Sequence, residues 1–127
     1  MKIKILSSFP AFPCAFYRSI GVLPYVNGVE TEIMKEVHWQ SIQKADILFI
    51  ERPDNKGHVQ AIDFAKDLGI PVWIDYDDNL LDLQPDNPGF RFFSDQRTRQ
   101  CIEYALKVAD VVTVSTPEIA KHYEKYS

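Results

Sequence analysis

Four carboxylates crowd into eight positions: Asp75, Asp77, Asp78 and Asp82. Like charges this close disfavour one another's ionised form unless a cation, a basic partner or water answers them. Three kinds of chemistry suit such a cluster. It can ligate a divalent metal through oxygen. One member can take a proton from a substrate hydroxyl as general base. The group can also hydrogen-bond the hydroxyls of a sugar. A structural alternative stands beside these: Asp78-Asn79 builds a turn and caps a short helix at Leu80-Leu81, with the other acids solvated or paired to arginine.

Three basic groups have chemistry to offer. Arg52, in Glu51-Arg52-Pro53, can make a planar two-point contact with phosphate or carboxylate, or a salt bridge to the acidic turn. His58 suits a phosphate contact or acid/base work; its structural alternative is a half-exposed helical histidine. Tyr17-Arg18 falls in the first turn of an expected helix, where the backbone favours anions. The aromatics Phe9, Phe12, Phe16 and Tyr17 suit stacking on a sugar or acyl chain, or packing as a lid over the sheet edge. His38 and His122 have no supporting context and read as surface residues.

These residues need a scaffold, and the pattern of the chain supplies one. Short apolar runs at 3–6, 29–37, 45–50, 72–75 and 111–114 alternate with segments of helical period at about 16–25, 57–68, 94–108 and from 117 onward. That alternation predicts βαβ units and an α/β fold: a Rossmann-like (flavodoxin-like) doubly wound parallel sheet of about five strands in three α/β/α layers, with strand order 2-1-3-4-5. Gly69 then Pro71 predict a helix stop before the fourth strand. Ser115-Thr116-Pro117-Glu118 predicts a capped helix start, with Glu118 completing a capping box. In open α/β sheets ligands bind outside the carboxyl ends of the strands. This selects residues 7–18, 51–58, 75–83 and 115–118.

Several classes fall away. There is no GxGxxG after the first strand, no GxxxxGK[ST] and no GxSxG. A net charge of −4 on 127 residues argues against nucleic acid as a partner. A phosphohydrolase built on Asp75 and Asp77 would need a nucleophilic Asp at the first strand, where Ser7-Ser8 stand instead. Cys14 and Cys101 sit in no metal or redox spacing and read as ordinary thiols. With no signal-like or spanning apolar run, the expectation is a single cytoplasmic domain without a metal, leaving peripheral membrane contact open.

Three ordered segments carry a family resemblance: Lys44-Ala45-Asp46-Ile47-Leu48-Phe49-Ile50-Glu51-Arg52-Pro53, Gly69-Ile70-Pro71-Val72-Trp73-Ile74-Asp75-Tyr76-Asp77-Asp78-Asn79-Leu80, and Ala109-Asp110-Val111-Val112-Thr113-Val114-Ser115-Thr116-Pro117. Together they resemble the N-terminal, acceptor-side domain of the GT-B-fold glycosyltransferases, in particular the retaining group that uses nucleotide sugars. The resemblance spans nearly the whole chain.

It implies transfer of a sugar from a nucleotide-sugar co-substrate to an acceptor hydroxyl, with no tightly bound cofactor. The donor would be held by a C-terminal domain or a partner chain, and this chain alone would be inactive. Asp77 falls where many members carry a histidine near the reacting sugar, with Asp78 beside it; both are the implied catalytic residues. Tyr17, Arg18, Arg52, His58, Ser115 and Thr116 are the implied substrate-binding set. The glycine pair that many members carry after the first strand is replaced here by Pro13-Cys14-Ala15-Phe16-Tyr17-Arg18. The alternative from a different class is a non-catalytic flavodoxin-like module that binds a carbohydrate or a protein.

Overall fold

A computed structural model describes residues 1–8 and 16–126, apart from the side chain of Phe16. The aromatic loop expected around Phe9 and Phe12, and Cys14 with it, lies outside the described residues. Five strands form one parallel sheet: β1 (Lys2–Leu6), β2 (Glu30–Met34), β3 (Ile47–Glu51), β4 (Val72–Tyr76) and β5 (Val111–Val114). Their order is β2-β1-β3-β4-β5, with every pair parallel. Right-handed crossovers favour this arrangement once the first connection turns one way and the later ones turn the other. The chain therefore has the expected Rossmann-like α/β architecture.

The helices are α1 (Trp39–Gln43), α2 (Lys56–Asp67), α3 (Phe90–Phe93), α4 (Gln96–Val108) and α5 (Pro117–Tyr123). The larger core lies on one face of the sheet. Leu6, Leu48, Ile50, Val72, Ile74 and Tyr76 pack there against Ile42, Ala61, Ile62, Ala65, Ile102, Ala105 and Leu106. The other face packs Ile3, Ile5 and Phe49 against Leu23, with Ile20 and Trp73 alongside. Alternation of side chains along each strand produces both cores: Phe49 goes one way, Leu48 and Ile50 the other. Covering on both faces explains why β3 reads as a continuous apolar run.

Local signals set the element ends. Asn55 caps α2, its side chain accepting from the His58 amide at 3.0 Å. At the other end Gly69 has φ +74°, a left-handed conformation that a Cβ would oppose. Its amide reaches the Lys66 carbonyl at 3.0 Å and the Ile70 amide reaches that of Ala65 at 2.9 Å, which together make a Schellman stop. Asp95 caps α4, and Thr98, Ile102, Ala105 and Leu106 face inward as their spacing predicts.

Four expectations differ from the fold. The first helix, expected at 16–25, is a π-helical turn at Phe16–Ile20 and a separate 3-10 turn at Leu23–Tyr25. Gly21 and Pro24 interrupt the helical hydrogen bonding between them. The second strand is only five residues long, and α1 forms in the segment beyond it. Leu68, at helical spacing from Val59, Ile62 and Ala65, is the C-cap of α2 and is exposed. Of the two caps that the sequence allows for α5, Thr116 is the one used, accepting from the Ile119 amide at 3.2 Å. Glu118 therefore sits one residue too early to close a capping box.

Candidate functional site at the carboxyl edge of the sheet

Four strands deliver polar side chains to one edge. Ser7 follows β1, Glu51 ends β3, Asp75 lies one residue before the end of β4, and Thr113 precedes the last residue of β5. Asp75 is 2% exposed. Its two oxygens accept from Arg18 Nε at 2.6 Å and Arg18 Nη2 at 2.7 Å, and Oδ1 also accepts from Thr113 Oγ1 at 2.6 Å. Thr113 in turn accepts from Trp73 Nε1 at 3.0 Å. A forked arginine contact of this kind offsets the desolvation of a buried carboxylate. Asp75 thus holds the edge together, and Arg18, implied as a substrate ligand, is committed to it.

Glu51 is buried beside this pair and accepts from Ser7 Oγ at 3.1 Å. Burial raises its pKa; the Ser7 hydrogen bond opposes the rise, and the nearby charges of Asp77 and Asp75 add to it.

Arg52 has φ +50°, a left-handed backbone in a residue with a full side chain. Strain of this kind persists where surrounding structure enforces it. Here the Arg52 amide donates to the Asp75 carbonyl at 2.8 Å, and the next carbonyl, of Pro53, accepts from Tyr76 Oη at 2.6 Å. The turn sends the guanidinium between Asp77 and the Phe93 ring, 5.7 Å from the ring centroid. Arg52 Nε and Asp77 Oδ1 are 3.2 Å apart, yet they are misaligned, and neither atom makes a hydrogen bond. Asn79 Oδ1 is likewise buried without a donor.

The acidic turn is fixed from behind by α5. Tyr123 Oη donates to the Asp78 carbonyl at 2.7 Å and accepts from the Leu80 amide at 2.9 Å. Ser115 Oγ donates to the Asp77 carbonyl at 2.8 Å. The Asp78 carboxylate accepts from the Asn79 amide at 2.8 Å and is exposed. Of the implied site residues, Arg18, Arg52, Asp77, Asp78 and Ser115 therefore gather around the end of β4. Thr116 is used as a helix cap, and Tyr17 is largely exposed on the π-helical turn.

His58 stands apart, over the ends of β1 and β2. It is 4% exposed rather than half-exposed. Burial lowers its pKa to about 4, so it is neutral at pH 7. The Asp54 amide donates to His58 Nδ1 at 3.2 Å, which leaves the ring proton on Nε2, 3.3 Å from Ser8 Oγ. The Asp54 carboxylate, 3.6 Å from Nδ1, consequently forms no ion pair with a neutral ring. Ser8, His58 and Asp54 superficially suggest a nucleophilic triad. The tautomer is wrong for it, because Nε2 carries a proton and cannot take one from Ser8.

Among the described residues no group of three or more His, Cys, Asp or Glu side chains could hold a metal ion, and no helix is long and apolar enough to cross a membrane. Cys101 is a free thiol. No protein-family model, curated protein or solved structure matches the chain. Sequence reasoning passed over Thr113 and Tyr123. Thr113 had a usable signal: it pairs in register with Asp75 and shares its face.

Proposed function

We propose that this domain forms the acceptor side of a glycosyltransferase, with the β4 edge receiving an acceptor hydroxyl and a second domain or partner chain holding the nucleotide-sugar. The observation that carries the reading is the half-satisfied Arg52–Asp77 pair. Buried polar atoms normally find partners, so two that face each other without a bond call for an explanation. A substrate supplies one: its hydroxyl donates to Asp77, and the guanidinium takes an anionic or oxygen-rich group. Hydrogen bonds of catalytic groups are often misaligned until substrate arrives. In the transfer step the donor's sugar–phosphate bond breaks and a bond to the acceptor oxygen forms. The hydroxyl proton passes to Asp77 or to the departing phosphate. Asp78, Ser115 and Tyr123 hold the backbone that presents Asp77. The ordered resemblance of three segments to GT-B N-terminal domains supports the same reading.

Saturation-transfer NMR of the domain against a panel of saccharides tests it. At least one saccharide is expected to give signal, lost in Asp77→Asn while the melting temperature is unchanged. In the presence of a donor-binding domain the same substitution is expected to lower transfer roughly 10²–10⁴-fold, the range for a general base. Silence from every saccharide sinks the reading. Binding that persists without transfer beside a donor-loaded second domain identifies a carbohydrate-binding module instead.

A further inference from the structure

A separate cleft of 240 Å³ opens over the ends of β1 and β2, lined by Leu6, Ser8, Lys35, Glu36, Val37, Asn55 and His58. In this strand order the connections after β1 and β3 diverge, and open α/β sheets take ligands in the crevice between those two strands; the cleft borders it through Ser8 after β1 and Asn55 and His58 after β3. The volume is below the ~300–1,000 Å³ of sites that enclose a whole drug-sized ligand. It suits one compact group rather than a nucleotide.

The donors decide which group. His58 Nδ1 is occupied by the Asp54 amide, so Nε2 presents an N–H at the cleft wall. Ser8 Oγ accepts that N–H at 3.3 Å, which leaves the Ser8 hydroxyl proton for a ligand. Lys35, an exposed lining residue, adds an ammonium. The first turn of the twelve-residue α2, capped by Asn55, opens on the same side. Gly57 in that turn lies against Val37: a Cβ there would come within 4.0 Å of Val37 Cγ2 and 3.2 Å of Asn55 Oδ1, so the backbone is kept bare. Among the described lining residues Glu36 is the one anionic side chain, and it is exposed. Among the described lining residues the Ser8 hydroxyl and the Lys35 ammonium are therefore the groups left to donate, and Lys35 is the one cation.

We propose that this cleft binds a phosphomonoester group, with Ser8 Oγ–H and the Lys35 ammonium as its donors and His58 Nε2–H orienting the serine hydroxyl. Neutral imidazole suits that positioning role, since it holds Ser8 with a directed N–H and leaves no buried cation to desolvate. The site does not rest on the glycosyltransfer reading, which uses Arg52 and Asp77 on the other half of the edge. It holds whether the group arrives as free phosphate or on a phosphorylated sugar.

The test is a ¹H–¹⁵N NMR titration of the 127-residue chain with inorganic phosphate, a hexose 6-phosphate and the unphosphorylated hexose, each at matched ionic strength. Saturable shifts of the Ser8, Gly57 and His58 amides are expected with both phosphates and not with the bare hexose. Tighter binding of the hexose 6-phosphate than of phosphate marks a phosphosugar as the source; equal binding marks the free ion. Long-range ¹⁵N spectra should show His58 protonated on Nε2 only, with that N–H shifting on binding. Lys35→Met, at an exposed position, should weaken phosphate at least 5-fold with an unchanged melting temperature, and Ser8→Ala about 3-fold. Shifts that fail to saturate, that sodium chloride reproduces, or that survive Lys35→Met unchanged overturn the proposal. So does equal response to the bare hexose.

Discussion

At the scale of single residues, Asp75 shows how a buried charge organises an edge. It is 2% exposed and bonded by Arg18 at two points and Thr113 at a third. Removing one partner of such a pair strands the other, which is costlier than removing both. Arg18→Met is therefore expected to destabilise the domain by about 3 kcal/mol, the scale for breaking a buried pair with part of the arginine still in water. Arg18→Met combined with Asp75→Asn is expected to recover part of that loss. Urea denaturation of the two single variants and the double variant measures the coupling; strict additivity would show that the two side chains act independently. The acidic turn itself was legible from the spacing of its carboxylates. The division of labour within it was not. Asp75 and Asp77 look alike in sequence, and only the partner 57 positions away separates a structural acid from a candidate reactive one.

At the scale of elements, short-range chemistry was readable and long-range pairing was not. Gly69 before Pro71 marked the end of α2, and Thr116 marked the start of α5, because each acts on backbone within a few residues. The segment after β1 was misread as one helix, since apolar spacing there matched a helix that Pro24 does not permit. The burial of His58 was also hidden, because it depends on β1 and β2 arriving over α2. Tyr123 is the strongest instance of long-range dependence. Its hydroxyl bridges the Asp78 carbonyl and the Leu80 amide, 45 and 43 positions away. Tyr123→Phe keeps the ring and orphans both groups, and a buried unsatisfied group costs about 1–3 kcal/mol. A loss of that size in thermal unfolding is expected, together with faster hydrogen exchange at the Leu80 amide. Unchanged exchange there would mean that the turn holds its shape without α5.

At the scale of the whole molecule, the buried titrating groups predict a dome-shaped dependence of stability on pH. His58 titrates near 6.5 when unfolded and at about 4 when folded. Between those values the unfolded chain binds a proton that the folded chain refuses, so stability falls as pH drops through this window. The full effect is about 3 kcal/mol once both states are protonated. Glu51 and Asp54 act in the opposite sense. Burial raises both, so the folded state takes up their protons first, and their contribution is lost as pH rises through the raised values. Asp54 lies against His58, which makes wild type alone ambiguous and the difference from a variant informative. His58→Gln removes the titration while keeping a polar side chain. Its stability is expected to fall less than that of wild type between pH 6.5 and 4.5, with the two curves parallel from pH 7 to 9. On the alkaline side, burial raises Tyr123 to about 12 and Tyr76 well above 10, so the unfolded state ionises first and stability falls above pH 10. Tyr123→Phe should flatten that limb without altering the acid one. Urea midpoints measured across pH 4.5–11 for the three proteins decide the matter; an acid limb equally steep in His58→Gln would show that groups other than the buried imidazole set the acid sensitivity of the fold.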